Sequence, residues 1–211
     1  MALLVMRVTG ELQERAFYPH LAGVGFSYNP FVWGPEIDPR AGVLRLVYGL
    51  GTRAVDRVDD DYTRVVALNA PLRRPEGSFD EIVRHTQRTV DFVDLDADRL
   101  SAGDFADLLP AARGVPVDLF TSETPEGGRF LTFDGLLTRT EFVEDFRRLL
   151  QVLETVYGKP VDIEFAANFL PDGKSYLINL LQCRALQVQG THHPAVPEVE
   201  CPAEGVLLEG C

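Results

Sequence analysis

Residues 161–186 read VDIEFAANFLPDGKSYLINLLQCRAL: two largely apolar runs on either side of Pro171-Asp172-Gly173. A Pro-Asp-Gly turn between such runs predicts a β-hairpin. The two-residue strand period puts Asp162, Glu164 and Ala166 on one face and Val161, Ile163 and Phe165 on the other. On the returning strand Gln182 and Arg184 share a face with Leu180 by the same count. If the hairpin folds symmetrically about Asp172, Glu164 lies opposite Leu180 with Gln182 a diagonal neighbour. A carboxylate, an amide and a guanidinium then converge at the end of a core strand. Such a patch suits metal-assisted handling of phosphate: Glu164 and the Gln182 amide oxygen are oxygen ligands for a hard cation such as Mg²⁺, and Arg184 offers a fork of donors to phosphate. Periodicity alone leaves a second reading open, in which Glu164 and Arg184 form an ion pair at a sheet edge.

Immediately upstream, Phe142, Phe146, Leu149, Leu150, Leu153 and Val156 recur at helical spacing, with Gly158 and Pro160 as stop signals. Towards the N-terminus, AGVGFSYNP (22–30), GVLRLVYGLG (42–51) and DYTRVVALN (61–69) read as strands. They predict an antiparallel sheet segment with one polar face. Ala2–Val8, ALLVMRV, reads as a buried strand with no element before it to pack against, so the chain is expected to be cut from something longer. In the middle, Ser78 is an N-cap candidate for a helix over 78–89, and Ser101 for a short one stopped by Pro110. Residues 113–135 read as strands and turns. Beyond Gln187 the chain turns proline-rich and reads as a linker over 189–211.

The composition, 45% hydrophobic and 25% charged, suits a globular domain with a sizeable core. Acidic residues outnumber basic ones 32 to 20, a net charge of −12, which repels polyanions and makes nucleic acid an unsuited partner. Phosphate remains compatible wherever a local arginine or a cation holds it. No run is long enough for a membrane span and no signal peptide is recognisable, so a cytoplasmic location is expected. Cys183, Cys201 and Cys211 do not form a disulfide framework. His192, His193 and Cys201 match no zinc spacing. Asp56, Asp59, Asp60 and Asp61 read as a solvated acidic loop. The Gly49-Leu50-Gly51 break reads either as a phosphate cradle or as a tight bend.

Three segments carry a resemblance in order along the chain. GKPVDIEFA followed by YLINLLQCRAL resembles the D-I-E-[WF] and L-Q-x-R ending of the nucleotide-binding domain of the phosphoenolpyruvate synthase and pyruvate phosphate dikinase family. AGVGFSYNP is similar to its G-V-x-F-[ST]-x-[ND]-P segment and VYGLGTRAVD to its G-L-G-E-x-V-V segment. Together they span about Ala2 to Leu186, with no matching motif in 73–130. The resemblance implies an α+β, ATP-grasp-like C-terminal subdomain, mainly antiparallel sheet with packed helices, over residues 1–188. It implies ATP and Mg²⁺ as cofactors, with Glu164 and Gln182 on the metal and Arg184, the catalytic candidate, on the phosphates. Val5, Met6, Arg7 and Val8 would border the adenine, and Gly49 and Gly51 the nucleotide. In that family, ATP pyrophosphorylates a histidine on a separate swivelling domain, which then passes phosphate to pyruvate. Pyruvate or phosphoenolpyruvate would therefore be reached only through domains outside this chain. A homo-oligomer stays open.

Departures from the pattern define the alternative. Thr52 stands where the family usually has glutamate after Gly-Leu-Gly, Ala185 stands where a proline commonly follows the last arginine, and the first ATP-grasp subdomain would precede Met1. Thr52 and Ala185 point towards a non-catalytic nucleotide-sensing or interaction module on the same fold, while the retained Glu164, Gln182 and Arg184 point to the enzyme.

Overall fold

The structure is a computed structural model that describes residues 5–55, 61–112 and 114–186. Its elements in chain order begin with strands β1 (Glu11–Gln13), β2 (Ala16–Tyr18), β3 (Leu21–Phe26) and β4 (Val43–Val47), then the one-turn helix α1 (Thr52–Val55) and β5 (Arg64–Ala67). Next come α2 (Phe79–Arg84), β6 (Thr89–Asp94), β7 (Arg99–Asp104), α3 (Phe105–Leu108), α4 (Val117–Phe120), β8 (Thr121–Glu123) and β9 (Arg129–Leu131). The chain closes with α5 (Asp134–Arg139), α6 (Phe142–Tyr157) and the hairpin β10 (Val161–Phe169) and β11 (Tyr176–Ala185). Every strand pair is antiparallel, so the α+β expectation holds. The principal sheet has the order β11-β10-β3-β4-β5, and a second sheet runs β1-β2-β6-β7. Among the described residues no helix is long and apolar enough to cross a membrane.

The core forms where α6 lies on one face of the principal sheet. Phe142, Phe146 and Leu150 follow at four-residue steps and are all buried, so one stripe of the helix meets β10. Phe146 packs on Phe165 with ring centroids 4.4 Å apart, and Phe120 stacks edge-on to Phe133 and Phe169. Each of these side chains contributes about 1.5–3 kcal/mol relative to exposure. Gly158, in the left-handed conformation at φ 66°, ends the helix as its sequence signal predicts.

Several expectations are corrected. Val5–Val8 form no strand, and Val5 is 83% exposed; Ala2–Leu4 lie outside the described residues. An apolar run with no partner strand has nothing to pair with, and propensity alone does not order it. The helix capped by Ser78, whose Oγ accepts from Glu81 N, stops at Arg84 instead of residue 89. Beyond it Thr86 and Gln87 are buried, and Gln87 exchanges side-chain bonds with both backbone groups of Tyr48, which commits residues 89–94 to strand. Ser101 caps no helix: it sits in β7 opposite Phe92, and Asp104 caps α3 through Ala106 N. The sheet over β3, β4 and β5 does not have a polar face either. Ala22, Val24, Val43 and Val47 on the side away from α6 are buried like their neighbours: Ala54 of α1 packs with Ala22 and Val47, and Phe31 and Trp33 of the 27–42 connection stand about Val43. Asp56, Asp59 and Asp60, residues 187–211 and with them the linker over 189–211, His192, His193, Cys201 and Cys211 lie outside the described residues.

Candidate functional site

The hairpin does not fold symmetrically about Asp172. Gly173 N donates to Leu170 O and Leu170 N to Ser175 O, so the turn is centred between Asp172 and Gly173. The tip pairs Phe169 with Tyr176, one place from the symmetric count. A second place is gained at a β-bulge, where Phe165 pairs Leu180 but Glu164 pairs Gln182, leaving Leu181 as the extra residue. The two shifts add, and Glu164 faces Gln182 directly instead of Leu180. Nor do Gln182 and Arg184 share Leu180's face. Tyr176, Ile178 and Cys183 pack on the main core, whereas Leu181 turns to the opposite side against Ala22, Val47, Ala54 and Ala166.

On that opposite face, register aligns side chains across all five strands. One row runs Gln182, Glu164, Val24, Arg45, Val65. The next runs Arg184, Asp162, Phe26, Val43, Ala67. Here the ion-pair reading needs correcting: Arg184 Nε donates to Asp162 Oδ2 at 2.8 Å, so its partner is Asp162 and not Glu164. The Asp162 bond first, then its charge and more weakly that of Glu164, hold the Arg184 guanidinium above its ordinary range. Glu164 therefore faces the Gln182 amide, with the held guanidinium one row away. Glu164 and Gln182 supply two oxygen-bearing side chains in register, the donor set a hard cation takes when phosphate and water complete its shell. Among the described residues no group of three or more His, Cys, Asp or Glu side chains stands close enough to form a metal cage.

Farther along the same strands, Asn168 and Asn179 line a cavity of about 290 Å³ together with Arg7, Val8, Thr9 and Gly10. Asn168 follows Glu164 by four strand residues, about 13 Å. Arg7 and Val8 are thus brought to the same sheet face as Glu164, while Val5 and Met6 do not line this cavity. Gly51 stands on Ala22, where an added methyl would meet Ala22 Cβ at 3.4 Å. Gly49 is a bend: at φ 88° a methyl there would meet Val90 Cγ1 at 2.4 Å and Asp91 O at 2.8 Å. Thr52 and Arg53 of α1 both donate to the Asp91 carboxylate, so a carboxylate from β6 occupies the neighbourhood where the resembled family carries its glutamate.

Sequence reasoning does not single out Asp162, Asn168, Asn179 or Asp91 as site residues. Asp162 and Asn168 carry a signal, since both share the parity of Glu164 on one strand. Asn179 and Asp91 carry none, because their places depend on the one-residue offset of the turn and on the second sheet.

A family model described as pyruvate phosphate dikinase, AMP/ATP-binding domain, matches residues 1–202. Comparison with curated proteins returns no match.

Proposed function

This chain belongs to the pyruvate phosphate dikinase AMP/ATP-binding domain family, and from that premise we propose that it binds ATP as one half of an ATP-grasp clamp. In the intact protein it would support Mg²⁺-dependent phosphoryl or pyrophosphoryl transfer to a histidine on another domain, with pyruvate or phosphoenolpyruvate handled elsewhere. The observation that carries the reading is the pairing of Glu164 with Gln182 beside an arginine already held by Asp162.

Each residue then has a task. Glu164 and the Gln182 amide oxygen hold Mg²⁺, which when bound neutralises phosphate charge and orients the phosphates. Arg184, fixed through Nε by Asp162, keeps its terminal nitrogens for phosphate oxygens and stabilises charge that develops in the transition state. Arg7 and Val8, across the cavity from Asn168 and Asn179, border the base. The about 13 Å between Asn168 and Glu164 is a span that an extended nucleoside triphosphate bridges. The 211 residues alone, with half of the clamp, bind ATP weakly and turn over little.

The test is calorimetric titration of the full-length protein with Mg-ATP. Wild type should bind, Glu164→Ala should lose the dependence on Mg²⁺, and Arg184→Ala should bind roughly tenfold more weakly, equivalent to about 1.4 kcal/mol. Binding of both variants like wild type would overturn the assignment.

A further inference from the structure

The cavity of about 290 Å³ between residues 7–10 and the two asparagines of the hairpin has walls tied together by His20. On the hairpin side the tie is reciprocal: His20 N donates to Asn168 Oδ1 at 3.0 Å, and Phe169 N donates to His20 Nδ1 at 3.0 Å. On the other side, Gly10 runs so close to β2 that an added methyl would meet Tyr18 C at 2.7 Å. The next residue, Glu11, sets Oε2 3.4 Å from His20 Nε2. His20 is fully buried, so water does not compete for these bonds.

The tie decides which end of the Asn168 amide meets a ligand. A backbone N–H can only donate, so the end turned to His20 N is the oxygen, and a flip would orphan that N–H at a cost of about 1–3 kcal/mol. Nδ2 is left with both of its hydrogens: it has no hydrogen-bond partner among the described residues, and on the half-buried Asn168 it keeps accessible surface. Asn179 pairs with Ala166 and stands diagonal to Asn168 on the same face. It is exposed, and among the described residues no hydrogen bond holds its amide, so it turns either end inward. Of the two amides in the cavity, Asn168 is the one with a preset polarity.

We propose that Asn168 is a specificity-determining residue for the nucleotide base: its locked amide donates from Nδ2 to an acceptor nitrogen of the adenine ring and disfavours a base with a donor or a C–H at that place. The inference rests on the reading of this cavity as the base site. A site built to hydrogen-bond one ring atom discriminates against the analogue that lacks it, because the site's own polar group is then left unpaired. The lock makes that discrimination one-sided, since a free amide rotates to match donor or acceptor and Asn168 does not.

Asn168→Asp separates recognition from structure, because a carboxylate oxygen still accepts from His20 N while the ligand-facing donor becomes an acceptor. Calorimetry on the full-length protein compares the Mg²⁺ complexes of ATP, of 1-deaza-, 3-deaza- and 7-deaza-ATP, and of 2′-deoxy-ATP. One deaza analogue should bind wild type at least about fivefold more weakly than ATP, and its identity names the ring atom. In Asn168→Asp and Asn168→Ala, both checked as folded by thermal unfolding, that ratio should fall below about twofold. The charge of the aspartate lowers affinity for every nucleotide alike and cancels in the ratio. Wild type that binds all three deaza analogues like ATP overturns the inference, as does a ratio that survives both substitutions. A ratio that collapses for 2′-deoxy-ATP alone assigns Asn168 to the sugar and also overturns it. Failure of the nucleotide reading looks different: wild type then does not bind Mg-ATP, or binds it with no change in Glu164→Ala, and the inference falls with it.

Discussion

Asp162, whose side chain is 10% exposed, accepts at 2.8 Å from Nε of Arg184, whose own side chain is 63% exposed. One end of the guanidinium is anchored in the sheet while the other faces outward. The pair is therefore a positioning device more than a stabilising one, since half-exposed ion pairs contribute at most about 1 kcal/mol.

Asp162→Asn should accordingly separate stability from affinity. The urea midpoint should correspond to a loss of no more than about 1 kcal/mol, whereas Mg-ATP affinity should fall several-fold as Arg184 loses its anchor. Arg184→Lys should not rescue, because an ammonium cannot hold Asp162 and present a planar fork at once. Calorimetry and urea titration on the same samples check both halves; an affinity that tracks stability would remove the positioning role.

The two glycines of Gly49-Leu50-Gly51 should respond differently to alanine. Gly49→Ala puts a methyl 2.4 Å from Val90 Cγ1 in a left-handed backbone, and should cost at least about 3 kcal/mol. Gly51→Ala meets only Ala22 Cβ at 3.4 Å and should cost less than about 1 kcal/mol. Thermal unfolding distinguishes them. Gly51→Ala, being folded, then reports through Mg-ATP affinity whether that position touches nucleotide.

Much of this is legible in the sequence because local rules are sufficient there. The α6 stripe with its Gly158 stop and the Pro171-Asp172-Gly173 hairpin need only periodicity and turn chemistry. The pairing of Glu164 with Gln182 is not legible, because a bulge at Leu181 leaves no mark in a run of apolar residues. Val5–Val8 mislead for the opposite reason: strand propensity is strong, but pairing needs a partner that no local rule supplies. Asp91 is out of reach because its role arises where β6 of the second sheet meets α1 above the principal one.

His20 should set part of the acid sensitivity. Its ring is fully buried, Nδ1 accepts from Phe169 N at 3.0 Å, and Nε2 stands 3.4 Å from Glu11 Oε2. Burial lowers its pKa below the ordinary 6.5, and Glu11 opposes this only in part. The neutral ring is thus the form the fold prefers. Its contribution is complete above about pH 6.5, the unfolded value, and is lost as pH falls below that towards the lowered folded value. Urea midpoints between pH 8 and pH 5 should fall less steeply in His20→Gln than in wild type. Glu11→Gln, which removes the opposing charge, should steepen the fall. Identical slopes in all three would show that His20 is not the titrating group.

Asp91 should couple α1 to the rest of the site. It accepts from Thr52 Oγ1 at 2.5 Å and from Arg53 Nε at 3.0 Å, and Arg53 also meets Asp61 at 3.4 Å. Ala54 of the same helix packs with Ala22 and Ala166, and Leu181 joins them beside Gln182. Asp91→Ala should therefore cost about 1–3 kcal/mol and weaken Mg-ATP binding through a displaced α1. The sharper test uses the residue more usual in the resembled family at position 52. Thr52→Glu alone sets a carboxylate against Asp91 and should destabilise by more than about 1 kcal/mol, because like charges in a half-buried site repel. Asp91→Ser in the same chain should recover most of that loss, since the glutamate can then take over Arg53. A double-mutant cycle with no coupling between positions 52 and 91 would show that the two carboxylates do not compete for one place.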